Sequence, residues 1–423
     1  MAEFDLTKRV MPYLDRHLSL PLLAHLAETS LFDQRDIHIA QYDLAKGTNM
    51  PDYAANLFSQ IYPDKEVPQE FEEKRQNTLL THQRMQDEAQ AVLDVIENPD
   101  VAQALRQDKE QNLQYLKDNY NLTLDQIAAL YHFGQFQYSY GNYSGAADYL
   151  YHFRVLSTDN DLNTSAQWGK LASGHTFWKE LDTLRESIDS RSLPGPAITQ
   201  LHSRTWLLHW SLFVYFNHPS GRTLLLETFL SPVYLNTIQT SCPWILRYLT
   251  AAAILSRAPA PGATPRLIKV IQMEEYQYQD PVTAFLKELY VEFDFEAAQR
   301  ELGRAEQVIS DDFFLGEFSA DFLDNARYLS IDIRDLSERL NLSPDEGEKW
   351  IVNLIRESRM GADAKIDLDK NVIEISRPAV PVYQTVIDKT RGLHLRTSGL
   401  GTAISRIGVA GPQGAAGSEV VVR

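Results

Sequence analysis

A helix-turn-helix pattern between residues 133 and 150 constrains the fold of this chain more than any other feature of its sequence. The pattern consists of Phe133-Gly134, then Gly141-Asn142-Tyr143-Ser144-Gly145-Ala146-Ala147, then Leu150, which is the spacing of a tetratricopeptide-like unit. Gly134 and Ala146 allow two helices to approach closely, and Gly141 permits the tight turn between them. Tyr143 and Leu150 are expected to fill the space between neighbouring repeats.

The same spacing occurs twice more along the chain. Asp294-Phe295-Glu296-Ala297-Ala298 with Leu302 repeats it, and Asn49-Met50 with Ala54 and Leu57 is a looser copy. Three related turns predict a mainly α-helical chain, built as a tetratricopeptide-like solenoid. The segment Thr205–Asn217 is apolar on nearly all sides, so we expect a central helix with Trp206 and Trp210 in the core.

Several further helices can be placed from local signals. Residues 69–95 are charged and have sparse apolar positions, which predicts one long, partly exposed helix. Asp280-Pro281 predicts a helix start with an N-terminal cap, and Pro21 is expected to open a second helix in the first segment.

The pattern changes after about residue 318. Ser343-Pro344-Asp345-Glu346 predicts a helix start with a capping box, and the helix that follows should bury Trp350, Ile351 and Leu354. Alternating apolar residues in 365–368 and 372–375, separated by a polar turn, predict a β-hairpin. Helices followed closely by a hairpin indicate a winged-helix module. A last amphipathic helix should carry Tyr383, Val386 and Ile387 on one face.

These patterns together predict the domain organisation. We expect an N-terminal helical-repeat array over residues 1–220, a second domain over 221–376 (a helical part at 221–330 and a winged helix at 331–376), a C-terminal interaction helix at 377–398 and a disordered tail at 399–423. The tail is rich in glycine and has little apolar periodicity.

The composition excludes several functional classes. The single Cys242 rules out an intrachain disulfide and any zinc site built on two cysteines, and predicts a buried free thiol. The sequence has no phosphate-binding glycine loop, no zinc-protease motif and no lipase-type nucleophile turn. We therefore predict a non-enzymatic protein without catalytic residues, metal or cofactor. The acidic start and the lack of a long apolar segment predict a cytoplasmic protein without membrane contact, and allow a nuclear fraction.

The charge distribution argues against binding of duplex DNA. The chain carries 40 basic and 57 acidic side chains, a net charge of −17. Three carboxylates, Asp345, Glu346 and Glu348, occupy the helix start that would face the phosphates in a DNA-binding winged helix. The C-terminal stretch 377–423 instead has more basic than acidic residues. We therefore expect any weak RNA contact to involve only this basic C-terminal stretch.

A helical-repeat array that ends in a winged helix resembles the PCI architecture, which is shared by subunits of the proteasome lid, the signalosome and translation initiation factor three. The chain also contains the stretches Leu14-Asp15-Arg16-His17-Leu18, His209-Trp210-Ser211-Leu212-Phe213, Phe216-Asn217-His218-Pro219, Leu246-Arg247-Tyr248-Leu249-Thr250 and Lys349-Trp350-Ile351-Val352-Asn353-Leu354-Ile355-Arg356. Through these stretches it resembles, within that group, the family of e-type subunits of the initiation factor.

The resemblance implies a scaffold protein that supports assembly on the small ribosomal subunit and recruitment of initiator tRNA and mRNA. Implied partners are other PCI and MPN subunits, with the ribosome reached through the complex. Candidate interface residues lie on the hairpin and the last helix: Lys365, Ile373, Ile375, Tyr383, Val386, Ile387 and Leu393. The alternatives are a PCI scaffold of the proteasome lid or signalosome, and a winged-helix nucleic-acid binder.

Two segments depart from the family pattern. The chain looks shortened near residues 171–181 and again near 329–331, where the family continues its helix for several turns. We expect these losses to weaken the packing between the repeat array and the winged helix.

Overall fold

The computed structural model describes residues 2–96, 101, 109–120, 122–174, 178–190, 197–256, 263–292 and 294–329, two short strands, and nine residues between 386 and 401. The helices are α1 (Thr7–Val10), α2 (Arg16–Thr29), α3 (Gln34–Lys46), α4 (Pro51–Ile61), α5 (Gln69–Ile96), α6 (Lys109–Tyr120), α7 (Leu124–Tyr140), α8 (Tyr143–Leu156), α9 (Asn160–Ser173), α10 (Trp178–Asp189), α11 (Ala197–Asn217), α12 (Gly221–Phe229), α13 (Pro232–Ser241), α14 (Leu246–Leu255), α15 (Ala263–Glu274), α16 (Pro281–Lys287), α17 (Phe295–Ser310) and α18 (Ser319–Leu329). Strands β1 (Ala364–Asp367) and β2 (Val372–Ile375) form a two-stranded sheet. The chain is therefore mainly α-helical, as the sequence predicts.

All three predicted turns join helices that pack against each other: α3 with α4, α7 with α8, and α16 with α17. At the second turn Gly141 ends α7 with a positive φ of 94°, a conformation that favours glycine. The Asn142 side chain then caps α8 by accepting a hydrogen bond from the backbone N–H of Gly145 at 3.2 Å. The structure therefore confirms the tight turn that Gly141 and Asn142 predict.

Close contact between α7 and α8 depends on small residues. A Cβ atom on Gly134 would lie 3.0 Å from the side chain of Leu150, which leaves no room for a larger residue without movement. Ala146 and Leu150 of α8 are both fully buried. The close helix approach predicted from Gly134 and Ala146 is present in the structure.

The buried side chains form two main cores. One core is built around α5 to α9, with Leu130, Phe133 and Phe153 among its fully buried members. The other extends from the end of α9 through α10 to α18 and also includes residues of α1 and α2, such as Val10 and Leu22. The N-terminal segment therefore packs into a core that is otherwise made largely by the second half of the chain.

Two residues predicted for the core lie at the surface. Trp206 is 47% exposed, whereas Trp210 one turn later is 7% exposed. Trp206 and His202 form an outward strip on α11, while the residues from Leu207 to Phe216 are buried. Tyr143 is 37% exposed because it is the first residue of α8, where its hydroxyl reaches α2 instead of filling the space between repeats.

Other local predictions have mixed outcomes. The long, partly exposed helix predicted for residues 69–95 is α5, and Asp280 caps α16 as expected, with Pro281 at its first position. The prediction that Pro21 opens a second helix is wrong: it lies inside α2, because the Asp15 side chain caps that helix upstream. Cys242 is a buried free thiol, as predicted. Among the described residues, no helix is long and apolar enough to cross a membrane.

Candidate protein-interaction surfaces

The β-hairpin has a defined register. Lys365 pairs with Glu374, whereas Ile373 pairs with Ile366 and Ile375 pairs with Ala364 in the antiparallel ladder. Because successive strand residues belong to opposite faces, Lys365 belongs to one face of the hairpin, and Ile373 and Ile375 belong to the other. The three candidate interface residues on the hairpin therefore cannot all contact a partner through one face.

The residues after the hairpin include an exposed apolar set. Residues 386–387, 390–391, 393–394 and 397–398 are helical. Val386 is 55% exposed, and Ile387 and Leu393 are each 45% exposed. Val386 and Leu393 are seven positions apart, which is close to two helical turns. Exposed aliphatic side chains at this spacing present an apolar stripe that a second helix could cover.

The remaining candidates fall outside the described residues. These are Tyr383 in the predicted last helix and Trp350, Ile351 and Leu354 in the predicted third helix of the winged helix. The shortened segment near 329–331 also continues into residues that are not described. Near residues 171–181, α9 ends at Ser173 and α10 begins at Trp178.

His209 is a buried side chain whose two ring nitrogens both have hydrogen-bond partners. Its Nδ1 lies 2.7 Å from the carbonyl oxygen of Thr205, and its Nε2 accepts a hydrogen bond from the indole N–H of Trp244 at 3.0 Å. Its ring stacks on Tyr13 with centroids 4.5 Å apart. Burial lowers the pKa of His209 to about 4. Within the part of the chain that the structure describes, no group of three or more His, Cys, Asp or Glu residues could hold a metal ion.

Comparison with known proteins identifies the family. Residues 5–137 match the family model described as "eIF3 subunit 6 N terminal domain", and residues 321–377 match the PCI domain. The E subunit of eukaryotic translation initiation factor 3 from Mycosarcoma maydis is 47% identical over 96% of this chain and 86% of its own length. The chain belongs to the E-subunit family of eukaryotic translation initiation factor 3. The E subunits of Cryptococcus neoformans (48% identical, covering 95% of this chain and 92% of the relative) and Aspergillus niger (45%, covering 96% and 94%) match at similar extent.

Membership in the E-subunit family confirms three predictions. The resemblance inferred from the sequence is correct, the chain is a translation initiation factor component, and it is not an enzyme. The PCI match covers the β-hairpin and most of α18. The hairpin and the apolar stripe are therefore candidate binding sites for other macromolecules and not candidate catalytic sites.

The chain also contains a buried ionic cluster that sequence reasoning missed. Arg247 donates from Nε to Asp280 Oδ2 at 2.7 Å, from Nη1 to Asp312 Oδ2 at 3.1 Å, and from Nη2 to the carbonyl oxygen of Phe4 at 2.6 Å. The Tyr278 hydroxyl adds a bond to Asp280 at 2.9 Å. All three charged side chains are almost fully buried.

This cluster is structural. Burial tends to lower the pKa of Arg247, but the surrounding tyrosines and carboxylates outweigh it and raise that pKa above its usual value. The guanidinium therefore stays charged and paired, which is the condition for burying a charge at acceptable cost. A lone arginine inside the apolar run from Ile245 to Leu255 was the available signal, because a buried arginine needs partners elsewhere in the chain.

Proposed function

We propose that this member of the E-subunit family is a scaffold of the translation initiation factor 3 complex. In this role it joins other PCI and MPN subunits and supports assembly on the small ribosomal subunit and recruitment of initiator tRNA and mRNA. The observation that carries the proposal is the similarity to E subunits along nearly the whole chain, at 45–48% identity. Identity of this extent covers both the repeat region and the PCI match.

The proposed organisation follows the sequence analysis. Residues 1–220 form the repeat array, and residues 221–376 form a PCI domain whose winged helix spans 331–376. The described hairpin, β1 with β2, supports the winged-helix assignment. A helix at 377–398 and a tail at 399–423 follow. A translation factor of this kind works in the cytoplasm, and the basic stretch 377–423 leaves room for weak RNA contact.

The proposed contacts with partners use the hairpin edge and the Tyr383–Leu395 helix. The exposed apolar stripe of Val386, Ile387 and Leu393 supports this assignment, because exposed aliphatic residues at helical spacing gain the most from being covered. Lys365 is assigned to a different face of the hairpin from Ile373 and Ile375, so we propose that the two faces contact different neighbours.

The test is recovery of the complex with tagged variants. Removal of residues 377–423, or the double change Val386→Asp with Ile387→Asp, should release the chain from its PCI partners, because a buried carboxylate would face an apolar interface. The matched control is Val233→Asp, which changes an apolar residue of similar exposure (43%) on α13. Undiminished complex recovery with the double variant would refute the role of this helix.

Two other functions predict different results. A lid or signalosome component would co-purify with protease-lid or signalosome subunits instead of initiation factors and ribosomal proteins, which mass spectrometry of the native complex distinguishes. A winged-helix nucleic-acid binder would bind duplex DNA in a salt-dependent manner. The similar proteins carry the name of the initiation factor, which favours the first proposal.

A further inference from the structure

The N-terminal segment, residues 2–26, contacts parts of the chain that are distant in sequence. The carbonyl oxygen of Phe4 accepts a hydrogen bond from Arg247, and that of Tyr13 accepts one from the indole N–H of Trp210 at 2.8 Å. His25 Nε2 lies 3.1 Å from the carbonyl oxygen of Asp311. These contacts join the N-terminal segment to α11, α14 and the turn that follows α17.

The middle of the same segment contacts the helical hairpins of the first half. Asp15 accepts a hydrogen bond from the hydroxyl of Tyr138 at 3.0 Å, and His17 Nδ1 lies 3.1 Å from the hydroxyl of Tyr143. Arg16 donates to the carbonyl oxygen of Gly47 at 2.8 Å. Between Tyr13 and His17 the chain therefore touches α11, the α7–α8 hairpin and the α3–α4 turn.

We propose that residues 2–26 form a strap that holds two helical units together: the hairpins of residues 34–156 and the helices of residues 197–329. Four apolar residues of the strap, Leu6, Val10, Leu18 and Leu22, are buried in the core of the second unit. The polar residues from Asp15 to His17 bind the first unit. The helices α9 and α10 also connect the units, because α9 packs against α8 and α10 packs against α11. The strap is thus a second connection, through which displacement of one unit is passed to the other.

Substitution of Asp15 best distinguishes the proposed strap from ordinary helix capping. The Asp15 side chain caps α2 by accepting from the backbone N–H of His17 at 2.9 Å, and it also binds Tyr138. Asp33 caps α3 in the same way, by accepting from the backbone N–H of Arg35 at 2.9 Å, and among the described residues its side chain makes no long-range hydrogen bond. Asp33→Ala is therefore a matched control for Asp15→Ala, because both changes remove one helix cap.

The experiment uses the full-length chain with a protease site inserted after Ser30, in the loop between α2 and α3. After cleavage, residues 1–30 should remain bound and co-elute with the rest of the chain in gel filtration. Asp15→Ala should raise the dissociation rate of the cut strap at least tenfold, and Asp33→Ala should change it less than twofold. In the uncut chain, Asp15→Ala should also accelerate amide hydrogen exchange at residues 138–145, which are distant from it in sequence.

The outcomes decide the proposal in either direction. Retention of the cut strap, together with release and faster exchange in Asp15→Ala alone, supports a strap that couples the two units. Loss of the strap from the cut wild-type chain during gel filtration would overturn the proposal. Equal effects of Asp15→Ala and Asp33→Ala would also overturn it, because they would reduce the role of Asp15 to helix capping.

Discussion

The protonation state of His209 gives a quantitative prediction for the stability of this protein. The carbonyl oxygen of Thr205 can only accept a hydrogen bond, so the proton of the neutral ring must be on Nδ1. The indole N–H of Trp244 can only donate, so Nε2 must be unprotonated. A second proton, on Nε2, would make the ring N–H face the indole N–H of Trp244 inside a buried site. Because two donors would then point at each other, the folded chain resists protonation of His209.

The magnitude follows from linkage between protonation and folding. The pKa of His209 falls from its ordinary value of 6.5 to about 4 on burial. Between these two values the unfolded chain binds a proton that the folded chain does not, so the free energy of unfolding decreases as pH falls. At about 1.4 kcal/mol for each pKa unit, the full effect is ~3 kcal/mol, of which ~2 kcal/mol is lost between pH 7 and pH 5. Below about pH 3, where the folded chain is also protonated at this position, the residue adds no further loss.

The assay is urea unfolding followed by tryptophan fluorescence at pH 7, 6 and 5. His209→Gln removes the titrating group and keeps an acceptor, so it should be less stable at pH 7 but should lose ~2 kcal/mol less than the wild type on going to pH 5. His202→Gln, at an exposed position of the same helix, should follow the wild-type pH dependence. Equal pH slopes in wild type and His209→Gln would refute the reasoning, because the carboxylates common to both would then account for the whole dependence.

Four further substitutions test the packing by the same urea unfolding assay. Gly141→Ala should cost about 1–2 kcal/mol, since an L-residue must adopt the left-handed conformation at φ 94°; an unchanged midpoint would contradict this. Trp210→Ala should cost about 3–5 kcal/mol and Trp206→Ala about 1 kcal/mol or less, so similar losses would contradict their different burial. Asp280→Ala should cost about 3–5 kcal/mol by leaving Arg247 buried and partly unpaired; a loss under about 1 kcal/mol, the range of an exposed ion pair, would argue against a buried cluster.

Local features of the fold could be predicted from the sequence because they depend on neighbouring residues. Gly141 and Asn142 specify a turn through their own backbone and side-chain chemistry, and Asp280 with Pro281 specifies a helix start. The exposure of Trp206 could not be predicted in this way. An apolar residue on an apolar helix is buried only if another element covers it, and what covers α11 is decided by distant parts of the chain.

The same limit explains why the ionic cluster and the strap were missed. Arg247 and Phe4 are separated by 243 positions, and no periodicity of either segment indicates the other. The hydroxyls of Tyr138 and Tyr143 likewise give no sign in the sequence that they bind residues at the start of α2. The interface candidates of the last helix were easier to propose, because an apolar face on a helix that follows the last domain has no evident partner within the chain. Whether partners cover them depends on other chains.

The boundaries of the family match are not boundaries of folding. The N-terminal model matches residues 5–137, yet Leu6, Val10, Leu18 and Leu22 within that range are buried in the core that extends from the end of α9 to α18. A chain cut at residue 137 would expose these side chains, and it would also lack α8, against which α7 packs. Conversely, the second unit without the strap would leave the Nη2 donor of Arg247 without its partner at Phe4. The N-terminal residues within the family match thus also complete the core and the hydrogen bonding of the C-terminal half.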